Sequence, residues 1–194
     1  MRVIAGCAKG RRLRSLRGHA VRPTADRTKE AMFSMVESRF ELAGMRVLDL
    51  FAGSGALGIE ALSRGAAAAT FVEKDAGAAR VLRGNLESCG FAVRAHVRPV
   101  PVHRALRDLA RRGDQFDVVF IDPPYGTDLL AATLEQLGTT GLLSAGAWVV
   151  AERHCKDILA ERYGALRLTR SRRYGKTNVD LFSLRTEPDE PERT

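Results

Sequence analysis

Two short stretches of this sequence carry residue types that could do chemistry together. The first is Asp122-Pro123-Pro124-Tyr125. Two consecutive prolines stiffen the backbone and remove two N–H donors. The Asp122 carboxylate and the Pro123 carbonyl can then point at one spot. Two acceptors held in this way match the two hydrogens of an aromatic amino group. Accepting both draws the nitrogen lone pair out of conjugation with the ring and aims it at an electrophilic carbon. Tyr125 offers a flat face for stacking a base. Such chemistry needs acceptors and positioning more than a strong base, because the amine can lose its proton after attack. Taken alone, the tetrapeptide also reads as a proline-rich turn closing a strand, with Asp122 capping the next helix.

The second stretch is Asp49-Leu50-Phe51-Ala52-Gly53-Ser54-Gly55-Ala56-Leu57-Gly58, in which Gly53, Gly55 and Gly58 fit the spacing GxGxxG. That spacing lets a strand turn sharply into a helix while its backbone closely approaches a ligand. Glu73 follows 20 residues after Gly53. A carboxylate at that place can accept the hydrogen bonds of a ribose diol. The geometry suits a dinucleotide or S-adenosylmethionine. Asp49 shifts the balance towards the second, since a strand-end carboxylate repels a pyrophosphate and suits a ligand with an amino group and a sulfonium. Its other reading is a buried helix cap.

The surrounding pattern supplies elements to position both stretches. Strands are expected at Val47–Leu50, Thr70–Val72, Val93–Val97, Val118–Ile121 and Trp148–Val150. Helices are expected from the glycine turn to Arg64, from Asp75 to Cys89, over Val102–Arg111 and up to Leu137. Alternation of this kind means a parallel sheet with helices on both faces. Leu166–Tyr174 and Val179–Leu184 read as a hairpin turning near Gly175, an antiparallel addition to the sheet edge. Ahead of the first strand, Asp26 is placed to cap a helix running to Phe40, with Met32, Met35, Val36 and Phe40 at helical spacing. Arg22-Pro23-Thr24 reads as a loop, and Val3–Leu16, with Gly6 and Gly10, as a small hairpin. The expected organisation is a basic N-terminal β-hairpin appendage over 1–22, one α/β domain over 23–186, and a disordered acidic tail over 187–194. In such a sheet both chemical stretches end strands on the same rim, where ligands bind.

Composition agrees with a single folded domain: 194 residues, of which 45% are hydrophobic. No apolar run is long enough to span a membrane. The N-terminus does not read as a signal peptide, and cytoplasmic location is expected. Cys7, Cys89 and Cys155 are scattered without a CxxC pair, and His19, His96, His103 and His154 share no ligand spacing, so no metal site is expected. The net charge is +8 and unevenly spread. Arg2, Lys9, Arg11, Arg12, Arg14, Arg17 and Arg22 precede the first acid, Asp26. A basic block of this kind is the electrostatic footprint of a polyanion binder, or else a solvated cationic arm. Arg170, Arg172, Arg173 and Lys176 leave the same two readings open.

DLFAGSGALGIEAL, FVEKD and FDVVFIDPPY together resemble the class I, Rossmann-like amino-methyltransferases. MRVIAGCAKGRRL and VRPTADRTKEAMFSMVE narrow the resemblance to the RsmD family, over residues 1–185. The resemblance implies S-adenosylmethionine as cofactor and methylation of N2 of a guanine in 16S ribosomal RNA, at position 966 in the usual bacterial numbering. The RNA would be met free or in a partly assembled small subunit, by an enzyme acting as a monomer. It further implies that Asp49, Phe51, Gly53, Ser54, Gly55 and Glu73 hold the cofactor and that Asp122, Pro123, Pro124 and Tyr125 are catalytic. The family more often ends that motif with Phe. Arg22, Pro23 and Thr24 match an RPT loop near the target base, and Arg2, Lys9, Arg11 and Arg12 complete the expected RNA contact. The family usually places an acid after the third strand, near the adenine amino group; this chain has Arg98-Pro99-Val100-Pro101-Val102. The adenine contact is therefore expected from backbone near Val102.

A DNA adenine-N6 methyltransferase would share the acceptor chemistry, but nothing resembles a separate target-recognition domain. A non-catalytic RNA-binding module would need neither the glycine loop nor the tetrapeptide.

Overall fold

The computed structural model describes residues 1–15, 23–124 and 126–184, with side chains in the first helix from Thr28 onward. Arg22, Tyr125 and the 187–194 tail lie outside the described residues. The chain runs α1 (Pro23–Glu37), β1 (Arg46–Leu50), α2 (Ala56–Ser63), β2 (Ala68–Val72), α3 (Ala76–Cys89), a 3-10 turn (Ala92–Arg94) and β3 (Ala95–Arg98). It continues with α4 (Val102–Arg111), β4 (Phe116–Ile121), α5 (Leu129–Thr139), β5 (Leu143–His154), β6 (Arg162–Tyr163), β7 (Leu166–Tyr174) and β8 (Thr177–Leu184).

All eight strands form one sheet in the order β3-β2-β1-β4-β5-β8-β7-β6. The five from β3 to β5 are parallel, and β8, β7 and β6 add antiparallel. Strand order reverses between β1 and β4, so the crevice expected of a doubly wound sheet opens at their carboxyl ends. One sheet face packs against α1, α2 and α3 through Phe33, Ile59, Leu62, Leu82 and Phe120. The other packs against α4 and α5 through Leu106, Leu109, Leu134, Val119 and Ile121. The central strands are buried on both faces, which is why they read as unbroken apolar runs.

α1 begins at Pro23, so Pro23-Thr24 form its first turn and Asp26 lies inside it. The expected loop is helical because proline's fixed φ suits the first helical position, where no N–H is needed. The helix ends at Glu37, short of Phe40. Asp75 is the N-cap of α3 and accepts from the Ala78 N–H at 2.7 Å, while Gly90 closes the helix in the left-handed region. β5 is longer than the apolar Trp148–Val150 stretch, running 12 residues because its ends pair with neighbours irrespective of side chain.

The N-terminal segment closes through one antiparallel bridge, Arg2 with Arg12, rather than a ladder. It is seated on the domain. Val3, Ala8 and Leu13 are buried in the core of α1, α2 and α3. Ile4 and Ala5 donate their N–H groups to Glu60 of α2 at 2.8 and 2.9 Å. Ala8 N–H donates to Ser63 Oγ at 2.9 Å, and Ser63 Oγ donates to the Ala5 carbonyl at 2.6 Å.

Candidate active site

The glycine turn leaves β1 at Leu50 and enters α2 at Ala56. Phe51 has φ 60°, Gly53 φ 54° and Gly55 φ 82°, so three left-handed residues fold the backbone back on itself. The three glycines of the spacing serve different ends. A Cβ on Gly55 would sit 2.1 Å from Leu82 Cδ1, and one on Gly58 would sit 2.3 Å from Phe71 Cε1. Those two allow α2 to pack against α3 and β2. A Cβ on Gly53 would meet nothing closer than the Phe51 carbonyl at 4.0 Å. Gly53 thus borders open space, as a cradle for a ligand must.

Asp49 is buried and accepts from the Gly58 N–H at 2.8 Å. The helix-cap reading of this residue is therefore present in the geometry. Its pKa is raised to about 7, foremost by burial; the Gly58 bond lowers it, and the charge of Glu73 raises it. Glu73 follows the last residue of β2. Its Oε2 accepts from Gly53 N–H and its Oε1 from Asp75 N–H, both at 2.8 Å. Each carboxylate oxygen keeps a second lone pair, which a diol can use. Phe51, Val100 and Val102 are half-buried side chains packed against the α4/α5 core.

Asp122 follows β4 directly. Asp49 pairs with Phe120, and Ile121 with Ala151 of β5. Asp49, Asp122 and Glu152 therefore lie near the carboxyl ends of three adjacent strands, β1, β4 and β5. Their strand neighbours Val47, Phe120 and Val150 lie in the α1/α2/α3 core, which assigns the three carboxyls to one face. The Asp122 pKa is raised well above its usual range by desolvation, by Glu152 and by Asp49, in that order. Solvent reaches the Asp122 side chain, so repulsion from its two neighbours is the firmer cause of the rise. Pro123 is buried and Pro124 exposed. Thr127 Oγ1 donates to the Pro124 carbonyl at 2.8 Å and pins the turn. Glu152 is a site residue that sequence reasoning missed; its only signal was its position two residues past the apolar run of β5.

α1 runs down from this rim. Phe33 lies against Phe120 with ring centroids 5.2 Å apart, and Phe40 stacks on Trp148, which pairs with the earlier strand residue Val118. The helix start, Pro23-Thr24, therefore points to the rim that carries Asp122. Arg2, Lys9, Arg11 and Arg12 are exposed. Arg172 pairs with Val179, which pairs with Glu152, so Arg172 lies on the same sheet face as the carboxyls. Among the described residues there is no cluster of three or more His, Cys, Asp or Glu side chains fit to hold a metal, and no helix long and apolar enough to cross a membrane.

The fold and this strand-end arrangement define a class I, Rossmann-like methyltransferase. The family model described as Conserved hypothetical protein 95 matches residues 1–183. Ribosomal RNA small subunit methyltransferase D of Escherichia coli (strain K12) is 37% identical over 159 residues, covering 82% of this chain and 77% of that protein. YlbH of Bacillus subtilis (strain 168) is 40% identical over 185 residues, 95% of this chain and 100% of the relative. The solved structure of yhhF from Escherichia coli matches with a TM-score of 0.82 at 34% identity, over 96% of this chain and 99% of that one. This chain belongs to the RsmD family of S-adenosylmethionine-dependent rRNA methyltransferases.

Proposed function

We propose that this chain transfers a methyl group from S-adenosylmethionine to N2 of the position-966 guanine of 16S ribosomal RNA, in the bacterial cytoplasm. The observation that carries the reading is the meeting of Asp122-Pro123-Pro124 with the Asp49–Gly58 turn at adjacent strand ends. The relative of this chain in Escherichia coli, a ribosomal RNA small subunit methyltransferase, supports the choice of RNA.

The residues present fit the cofactor. Open space over Gly53 admits a ligand against the backbone. The Asp49 and Glu73 carboxyls hold this turn through Gly58 N–H and Gly53 N–H, and negative charge there favours a cationic amino group and a sulfonium and disfavours a pyrophosphate. Asp49, Phe51, Gly53, Ser54, Gly55 and Glu73 would hold it, with the adenine against the Val102 end of α4. When bound, the cofactor supplies an electrophilic methyl group.

The chain's own residues position the nucleophile. Asp122 and the Pro123 carbonyl accept the two amine hydrogens, which localises the lone pair on nitrogen. Tyr125 stacks on the base. After transfer the amine carries an extra proton, which Asp122 or water removes. Arg2, Lys9, Arg11, Arg12 and the Arg22-Pro23-Thr24 stretch bind the RNA backbone near the target.

The test is tritiated methyl transfer to naked 16S rRNA, to partly assembled small subunits and to DNA, with the wild type and Asp122→Ala. Label at guanine N2 of rRNA is expected, falling by roughly 100-fold or more in the variant, as when one preorganised hydrogen-bonding group is removed. Label in DNA adenine, or full activity in Asp122→Ala, overturns the reading.

A further inference from the structure

Asn85 of α3 is buried, and its amide joins two segments that belong to different parts of the proposed reaction. Its Oδ1 accepts from the Arg14 N–H at 2.8 Å, and its Nδ2 donates to the Arg14 carbonyl at 3.0 Å. This pairing imitates a neighbouring strand, with one side chain satisfying both backbone groups of one residue. The same Nδ2 donates to the Ser54 carbonyl at 2.9 Å, in the centre of the glycine turn. One helical turn earlier, Leu82 fills the space beside Gly55. A single face of α3 thus carries the turn and, through one amide, the last part of the basic N-terminal segment.

One donor and two acceptors converge on that amide, so it has a single orientation that satisfies all three. Moving Arg14 away leaves Oδ1 and one Nδ2 hydrogen of the buried amide without these partners, so that Ser54 alone of the two segments still holds the amide in its orientation. The converse holds when the turn shifts. The two segments lie 31 and 71 residues from Asn85 in sequence, and this residue bonds both.

We propose that Asn85 is a positioning residue that couples the N-terminal segment to the cofactor turn, so that rRNA on the segment and the methyl donor on the turn raise each other's affinity. The inference rests on the reading of the segment as RNA-facing. Coupling between two binding events is reciprocal, so either ligand reports it.

The experiment measures binding of S-adenosylhomocysteine by calorimetry, with and without saturating 16S rRNA transcript, in the wild type and in Asn85→Ala. In the wild type the transcript is expected to tighten binding by about 5-fold or more, the lower end of ordinary coupling. In Asn85→Ala that ratio is expected to fall to about 1. A residue that merely supports the fold would lower both affinities and leave the ratio intact, and that result overturns the proposal. A second measurement needs no variant. S-adenosylhomocysteine alone is expected to slow hydrogen exchange of the wild-type Arg14 amide, and an unchanged rate overturns the coupling. If the wild type binds the transcript but the ratio is 1, the coupling alone falls. If it does not bind the transcript, the RNA reading falls first and the coupling with it.

Discussion

The Lys29 ammonium and the Glu60 carboxylate lie 3.1 Å apart, with 4% and 0% of their side chains exposed. Glu60 also accepts from the Ile4 and Ala5 amides and from the Arg64 guanidinium at 2.9 Å. Lys29 in turn donates to the Arg2 carbonyl at 2.6 Å. One buried carboxylate therefore joins α1, α2 and the N-terminal segment.

Removing that carboxylate strands a buried cation and two amides. Glu60→Ala is expected to cost about 3–5 kcal/mol, the range for breaking a buried pair from one side. Denaturant unfolding measures it. A cost under about 1 kcal/mol means that water replaces the carboxylate freely. Cutting away residues 1–15 bares the same groups and unsettles the fold. The RNA role of the segment is better tested by Arg11→Glu with Arg12→Glu, whose side chains are exposed. That double change is expected to weaken transcript binding and flatten its salt dependence, because fewer counterions are released. An unchanged slope removes the segment from the RNA contact.

The glycines of the turn separate into two kinds. Gly55→Ala is expected to cost about 1–3 kcal/mol from overpacking against Leu82, with a further penalty for its φ of 82°. Gly53→Ala carries the φ penalty alone, since its Cβ points into open space. It is expected to cost only about 1–2 kcal/mol of stability, less than Gly55→Ala, while weakening S-adenosylhomocysteine binding by tenfold or more, about 1.4 kcal/mol. Calorimetry beside thermal unfolding distinguishes the two. Equal affinity in Gly53→Ala and wild type means that the cofactor does not approach this backbone.

Much of this frame was legible because it rests on local signals. α4 occupies Val102–Arg111 as its spacing indicates, and the glycine turn and the Asp122 motif lie within covalently connected runs. What stayed illegible depends on distance. Glu60 reads as one polar residue in an apolar helix, and only its bonds to residues 55 and 56 positions away give it a task. Asn85 is the same case in α3. Glu152 looked like a strand end, and register with β4 was needed to bring it beside Asp122. Pro23 misled in the opposite sense, since the same fixed φ both disfavours helix in the residue before it and starts a helix well.

Asp49 titrates against the fold. Its pKa in the folded protein, about 7, exceeds the ordinary 3.8. A group raised in this way contributes stability at low pH that is lost as pH rises from the ordinary value through the folded one. Across that span the loss is on the order of 4 kcal/mol. Asp49→Asn keeps an oxygen to accept the Gly58 N–H and has no charge to bury. The variant is expected to gain stability over wild type progressively from about pH 4 to pH 7, with a flat difference above. It is also expected to bind S-adenosylmethionine poorly, because the charge that met the cation is gone. Thermal unfolding across pH checks the first outcome. A difference independent of pH means that Asp49 stays ionised throughout.

Glu152 and Asp122 each follow the last paired residues of neighbouring parallel strands, Ala151 and Ile121, and the charge on the first raises the pKa of the second. The proposed mechanism uses Asp122 as an acceptor and therefore needs its carboxylate form. Methyl transfer should then fall on the acid side as Asp122 gains a proton, and the limb of kcat/KM should report that pKa. Glu152→Gln keeps the shape and removes the charge. It is expected to lower the Asp122 pKa and to move the acid limb towards lower pH, so the variant outperforms wild type on that limb relative to its own plateau. Asp122→Asn supplies the control: with no titrating carboxyl at 122, adding Glu152→Gln should leave its residual pH profile where it was. An acid limb that stays in place in Glu152→Gln means that another group governs it, and Asp122 then acts without needing its charge.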